Sequence, residues 1–380
     1  MTRDRGAAPV WPSRRVIDLL KVEHPIILSP MPFGESPSLA LAVCAAGGLG
    51  SIGCAVSTPD EAARKIATMH ASTDRPFAVN FFCHLEAAVD PAAESIWVDT
   101  LRPYYRAWNI PFEPSRERLT ITPFDHAMCD VVERAPPAVV SFHFGLPARH
   151  LVDRLKALGC RLMSSATTVE EARWLEANGT DIVIAQGVEA GGHRGSFLAR
   201  DPSRSGGSEH GTFTLLPQIA DAVSIPVVAA GGIADGRGIA AAFALGADGV
   251  QIGTGYLRCP EAAISPSYRH ALERAESDST VVTNVFTGRP ARAIVNRLVR
   301  DLGPISRLAP AFPSAMTATR QLAAEAARQG DTDFTAFWAG EAVALARALP
   351  AQELTAVLVA EAMQVLAGNG ANPTTARLPD

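Results

Sequence analysis

Basic clusters, long apolar runs and paired-cysteine motifs are all missing from this chain of 380 residues. Lys and Arg together number 34 against 39 Asp and Glu, so the formal charge is −5 and no basic block is set up for nucleic acid or anionic lipid. No stretch approaches the ~18 apolar residues of a membrane span. The start, MTRDRGAAPVWPSRR, has charges with no apolar h-region after them, which points to a cytoplasmic protein. Six cysteines (44, 54, 83, 129, 160 and 259) are scattered without CxxC spacing, which argues for reduced, mostly buried thiols over zinc, redox or disulfide roles. Only 19% of residues are charged and 47% are apolar, enough for one large core, or for one core plus a smaller appendage.

What is present is a rhythm. Short continuous apolar runs recur at 25–31, 48–53, 77–82, 138–145, 160–167, 181–187, 226–232 and 248–254, as parallel strands covered on both faces require. Helix starts stand between them: Ser36 before Pro37, Thr58-Pro59 with Glu61, Thr168 with Glu171, and Asp235 ahead of GRGIAAAFALG. Eight strands with intervening helices fit a closed (β/α)8 TIM barrel. A doubly wound open sheet is the alternative, but no GxGxxG follows the first strand.

Two places break the beat. An insertion over 83–137 carries its own predicted helices near 91–108 and 122–135. Beyond 258 the pattern turns mostly helical, including SPSYRHALERAES, PSAMTATRQLAAEAARQ and DFTAFWAGEAVALARAL. The expected organisation is a barrel over 1–258, a smaller helical substrate-side domain over 259–345, and a C-terminal helix within 346–380 returning to the barrel.

Barrel chemistry sits at the carboxyl ends of the strands, with a phosphate site commonly after the last two. Here those ends read AAGGIADGRG and QIGTGYL, so Gly231, Gly232, Gly253 and Thr254 offer backbone donors and a hydroxyl to a phosphate monoester. Amides stand at other strand ends: Asn80, Gln186 and Gln251. Around one mouth they suit a flat, phosphorylated heterocycle, for which flavin mononucleotide (FMN) is the natural candidate. The stretch IAQGVEAGGHRG places three glycines and His193 beside such a ring, and the glycines are expected to keep the loop thin there. Glu189 and Arg194 flank His193 and are expected as local anchors. His143, in SFHFG, is either a pocket residue or a packed one. The loop 194–211 is polar and glycine- and serine-rich, a candidate lid or an ordinary surface loop.

HPIILSPM, AAGGLGSIG, RPFAVNFF, QGVEAGGHRG, PVVAAGGIADGRG and LGADGVQIGT together resemble the nitronate monooxygenase family, from about residue 23 to 257 and more loosely beyond. The resemblance implies an FMN-dependent TIM barrel with a smaller helical domain and the ring between them. It assigns Met31 to backbone contact with the ring, Asn80 and Gln186 to hydrogen bonds, and Gly191 to the loop beside it. Gly231 and Gly232, with Gln251, Ile252, Gly253 and Thr254, would hold the phosphate. His193 matches the catalytic histidine. The implied reaction oxidises an alkyl nitronate, or a nitroalkane after loss of its α-proton, with O2 to a carbonyl compound and nitrite, without a metal. A base for that proton needs a pKa near the operating pH, and a protonated histidine also attracts nitro oxygens. An NAD(P)H-dependent flavin reductase acting on quinones or enoyl-acyl carrier protein shares these motifs and stays open, as does, more remotely, a non-catalytic barrel that binds a phosphorylated ligand. The expected partners are a small-molecule substrate and O2, with neither nucleic acid nor membrane.

Overall fold

The computed structural model describes residues 10–31, 36–111, 119–199 and 209–368. Residues 200–208, the middle of the candidate lid, and the tail from 369 lie outside the described residues.

The barrel is built from β1 (Ile26–Leu28), β2 (Gly50–Gly53), β3 (Phe77–Phe82), β4 (Val139–His143), β5 (Arg161–Ala166) and β6 (Ile182–Gln186). After a two-residue strand outside the barrel, β7 (Gly192–His193), come β8 (Val227–Ala230) and β9 (Gly249–Ile252). The eight barrel strands are parallel and lie in the order β1-β9-β8-β6-β5-β4-β3-β2. Leu28 N–H donates to Leu49 O and Leu49 N–H to Ile26 O, each at 2.9 Å, which joins β1 to the entry of β2 and closes the ring. Every residue of β3 and β6 is buried, as expected for strands with helices outside and packed side chains within.

Local sequence explains the helices. Thr58 and Glu61 form a reciprocal capping box, Ser36 Oγ accepts from Leu39 N–H, and Asp235 accepts from the N–H groups of Arg237 and Gly238. Thr168 caps its helix as expected, but the Glu171 side chain does not complete a box. It turns inward, fully buried, and accepts from Thr167 N–H and Oγ1 (2.7 and 2.8 Å) and from Phe197 N–H (2.7 Å) and Leu198 N–H (3.2 Å). The helix Ala351–Leu366 packs on the barrel helix Gly236–Ala244, and Tyr256 and Thr355 share a hydrogen bond of 2.8 Å beneath it.

A second hydrophobic core stands over one side of the mouth. The insertion helix Pro91–Ala107 places Trp97, Leu101 and Tyr105 against Phe286, Leu298, Leu322 and Phe334, and Tyr105 donates to Ala318 O at 2.6 Å. This unit has helices at Pro266–Glu273, Arg297–Leu302 and Ala315–Arg328. It also has a sheet that sequence patterning did not predict: β10 (Thr280–Thr283) pairs antiparallel with β11 (Ala291–Ile294), and β11 with β7. The helix expected over 333–349 is replaced by an extended strap with one 3-10 turn, Val343–Leu345. Its backbone bonds are spent elsewhere: Ile294 N–H donates to Phe337 O (2.8 Å), Gly340 N–H to Thr254 Oγ1 (2.8 Å) and Glu341 N–H to Glu189 O (2.9 Å). Among the described residues no helix is long and apolar enough to cross a membrane.

Candidate active site

Strand β6 ends at Gln186, and the chain then leaves the barrel to pair with β11, with Ala291 opposite His193 and Arg292 opposite Gly192. His193 is thereby carried on the edge of the second unit's sheet while facing the barrel mouth. Its main chain is held from below. The carbonyl of His193 accepts from Gln186 Nε2 and from His143 Nε2, both at 3.0 Å, and Gln186 Oε1 accepts from Gly195 N–H at 2.8 Å. Arg194, 1% exposed, donates to the carbonyls of Gln186 (3.1 Å) and Gly187 (2.5 Å). Glu189 caps the helix Thr212–Ala220 through the N–H and hydroxyl of Thr212 (2.8 and 3.0 Å). Both flanking charges are thus structural anchors.

The imidazole of His193 lies among the rings of Phe82, Phe144, Phe312 and Trp338, with centroids 5.3–6.2 Å away. Among the described residues its ring makes one polar contact, Nε2 to Thr287 Oγ1 at 3.0 Å. Desolvation in this cage, followed by the charges of His143, Arg289 and His84, pushes its pKa down to about 3. The expectation of a histidine poised near neutral pH, with a charged form to draw nitro oxygens, is corrected: the side chain is held neutral. His143 is also held down to about 3, first by desolvation. Both its nitrogens are engaged, Nδ1 with Ser165 Oγ (2.6 Å) and Nε2 with the His193 carbonyl, so it works as a packed residue that also borders the cavity. Behind the cage Arg289, 7% exposed, stacks 3.9 Å over Phe144 and donates to Ser196 O. Burial lowers its pKa to about 10, so it remains cationic at neutral pH and gives this end of the site a positive potential.

One cavity collects most of the residues singled out from sequence. Met31, Asn80, Gln186 and Gln251 border it at the strand ends, and Gly231, Gly232, Gly253 and Thr254 at the far side. Gly191, His143 and His193 border it too. Ile252 does not: its side chain, 1% exposed, packs in the hydrophobic layer between the strands and the surrounding helices. Asn80 donates from its amide nitrogen to Ser141 Oγ (3.0 Å), and Gln251 reaches Ser29 Oγ at 3.5 Å. Gly191 is required by a neighbouring backbone. A Cβ there would stand 2.6 Å from Gly340 N, so this glycine lets the 333–349 strap cross the loop.

The β8 and β9 ends are built differently. Gly231 and Gly232 take φ of +113° and +71°, which L side chains rarely adopt. Among the described residues the backbone N–H groups of Gly231, Gly232 and Gly253 donate to nothing, although they lie at adjacent strand ends. Unmet donors grouped at a cavity edge are an anion cradle. Residues not anticipated from sequence complete the walls: Val56, Phe82, Ile121, Met316 and Trp338 give an apolar flank, and no Lys or Arg borders the cavity among the described residues. Thr287 sits in NVFTGRPARA, where only the pairing of β11 with β7 brings it to His193.

Comparison with known proteins agrees with this geometry. The family model described as nitronate monooxygenase matches residues 13–361. The chain is 43% identical over 354 residues to a nitronate monooxygenase of Paraburkholderia phytofirmans, covering 92% of this chain and 95% of the relative. It is 43% identical over 350 residues to one of Pseudomonas aeruginosa, covering 91% and 98%. The solved structure of nitroalkane oxidase from Streptomyces ansochromogenes superposes with a TM-score of 0.82 at 38% identity, covering 93% of this chain and 99% of that one. FabK from Thermotoga maritima is also similar, with a TM-score of 0.70 at 31% identity, covering 95% and 99%.

Proposed function

The chain belongs to the nitronate monooxygenase family, a family of flavin-dependent oxidoreductases, and on that footing we propose that its barrel mouth holds FMN and oxidises nitronates and nitroalkanes carrying uncharged tails. The observation that carries the reading is the set of unmet N–H donors at Gly231, Gly232 and Gly253, residues that line the same cavity as His193. A phosphate monoester satisfies such donors, with Thr254 beside them at the start of a short helix. Met31, Asn80, Gln186 and Gln251 lie where a ring attached to that phosphate would extend toward His193, and Ile252 contributes backbone only. Bound there, the flavin supplies the electron acceptor for the nitronate and the site of reaction with O2.

The chain's own part is proton and charge management. For a nitroalkane, neutral His193 accepts the α-proton, and the anionic nitronate forms in the field of Arg289. The Arg289 charge, a smaller cause of the neutral imidazole than burial, favours the anion. The negative nitronate beside the imidazolium then offsets the cost of protonation. A preformed nitronate needs no such transfer. The apolar flank of Val56, Phe82, Ile121, Met316 and Trp338 takes the alkyl tail and excludes water.

The test is nitrite release from a nitroalkane and from its preformed nitronate, with wild-type protein and with His193→Ala. Nitrite is expected from both with wild type. The variant should lose about 100-fold or more on the nitroalkane and much less on the nitronate. Equal losses on the two substrates would remove the base from His193.

A further inference from the structure

We propose that Thr287 is a positioning residue that fixes His193 as its Nε2–H tautomer, making Nδ1 the atom that takes the substrate proton. The inference rests on the histidine-base reading above. It follows from counting hydrogens around one hydroxyl. Thr287 Oγ1 lies 3.1 Å from the Arg289 carbonyl, 3.3 Å from the Arg289 N–H and 3.0 Å from His193 Nε2. The Arg289 carbonyl accepts from no other group among the described residues, whereas Nε2 can carry its own hydrogen, so the single hydroxyl proton satisfies every partner when it goes to Arg289 O. The Arg289 N–H takes one lone pair of Oγ1. The remaining lone pair faces His193, and Nε2 must carry the hydrogen that fills it.

Nδ1 is then an unprotonated acceptor. Among the described residues it has no hydrogen-bond partner, on a ring that borders the cavity. The rest of the neighbourhood does not compete for either nitrogen. His143 spends Nε2 on the His193 carbonyl, so its Nδ1 accepts from Ser165 Oγ, and Gln186 also binds main chain. Thr287 itself is held rigidly: it is 2% exposed, in a turn closed by Gly288 N–H to Asn284 O at 2.8 Å. An orienting partner that sets which nitrogen is free is the role an aspartate plays in a serine protease triad; here a hydroxyl tied to a backbone carbonyl does it without adding charge.

The experiment uses flavin-loaded protein with 15N-labelled histidine, as wild type, Thr287→Val and Thr287→Ser. In wild type the His193 Nδ1 resonance should be that of an unprotonated ring nitrogen and Nε2 that of a protonated one. Thr287→Val should shift the ring toward the Nδ1–H form and lower kcat/KM for a nitroalkane about tenfold or more, with turnover of preformed nitronate kept within about twofold. Thr287→Ser should restore both readouts. A protonated Nδ1 in wild type overturns the proposal. So does a valine variant with the wild-type spectrum, or one that loses equally on both substrates. If Thr287→Val does not fold, the wild-type spectrum and the serine variant still decide the matter. Absence of nitrite from every nitroalkane and nitronate would sink the functional reading instead, and the ring-nitrogen spectrum separates that failure from this one.

Discussion

Acid should weaken this protein early, because three imidazoles are built into its mouth in neutral form. His143 and His193 are held near 3 and His84 near 4, in each case first by desolvation. In the unfolded chain each returns to the ordinary value of 6.5, so the unfolded state binds more protons throughout the interval between. Stability is therefore highest above pH 6.5, falls as pH drops below it, and goes on falling until the folded-state values are reached. Between pH 7 and pH 5 one such imidazole loses about 2 kcal/mol, and three lose about 6 kcal/mol. Carboxylates add little in that window because their unfolded values lie near 4. Urea unfolding followed by tryptophan fluorescence at the two pH values measures the difference. His193→Asn and His143→Asn should each flatten the dependence by about 2 kcal/mol. A loss below about 1 kcal/mol in wild type, or the full wild-type loss in both variants, would refute the claim that the cage excludes the charged form.

Gly231→Ala places a Cβ 2.9 Å from Thr212 Oγ1 and 3.0 Å from Ala190 N at a φ of +113°, so FMN affinity should fall about tenfold or more in a fluorescence titration; unchanged affinity would put the phosphate elsewhere. Glu171→Ala strips an acceptor from Thr167, Phe197 and Leu198 and should cost about 3 kcal/mol in chemical denaturation, with a loss under 1 kcal/mol counting against its anchoring role. Wild-type protein should prefer an uncharged alkyl nitronate to propionate 3-nitronate in kcat/KM. Met316→Lys, on the apolar wall, should narrow or invert that preference, and an unmoved ratio would place the tail elsewhere.

The parts of this account visible in the sequence are those governed by local rules. Continuous apolar runs announced the eight strands, and Ser36, Thr58 and Asp235 their helix starts, because caps and burial periodicity act within a few residues. The insertion helix Pro91–Ala107 was visible for the same reason, but its partner at Ala315–Arg328 lies more than 200 residues away. Strands β7, β10 and β11 run to four residues at most, too short to show a period, and β7 joins β11 only by pairing across about 100 residues. That is why Thr287 and Arg289 were missed although His193 was found. Glu171 shows the opposite hazard: its spacing fits a capping box, yet a buried loop with unmet N–H groups binds it more strongly than the exposed helix end. Gly191 was noticed for its freedom, but the neighbour that requires it is the strap at Gly340.

The most direct test is to mix flavin-loaded protein anaerobically with an alkyl nitronate, and separately with NADH or NADPH, and to follow the visible flavin absorbance. Rapid bleaching by the nitronate with no pyridine nucleotide present is the predicted result. Bleaching by the nucleotide alone, with the nitronate inert, would contradict it and make the protein a reductase.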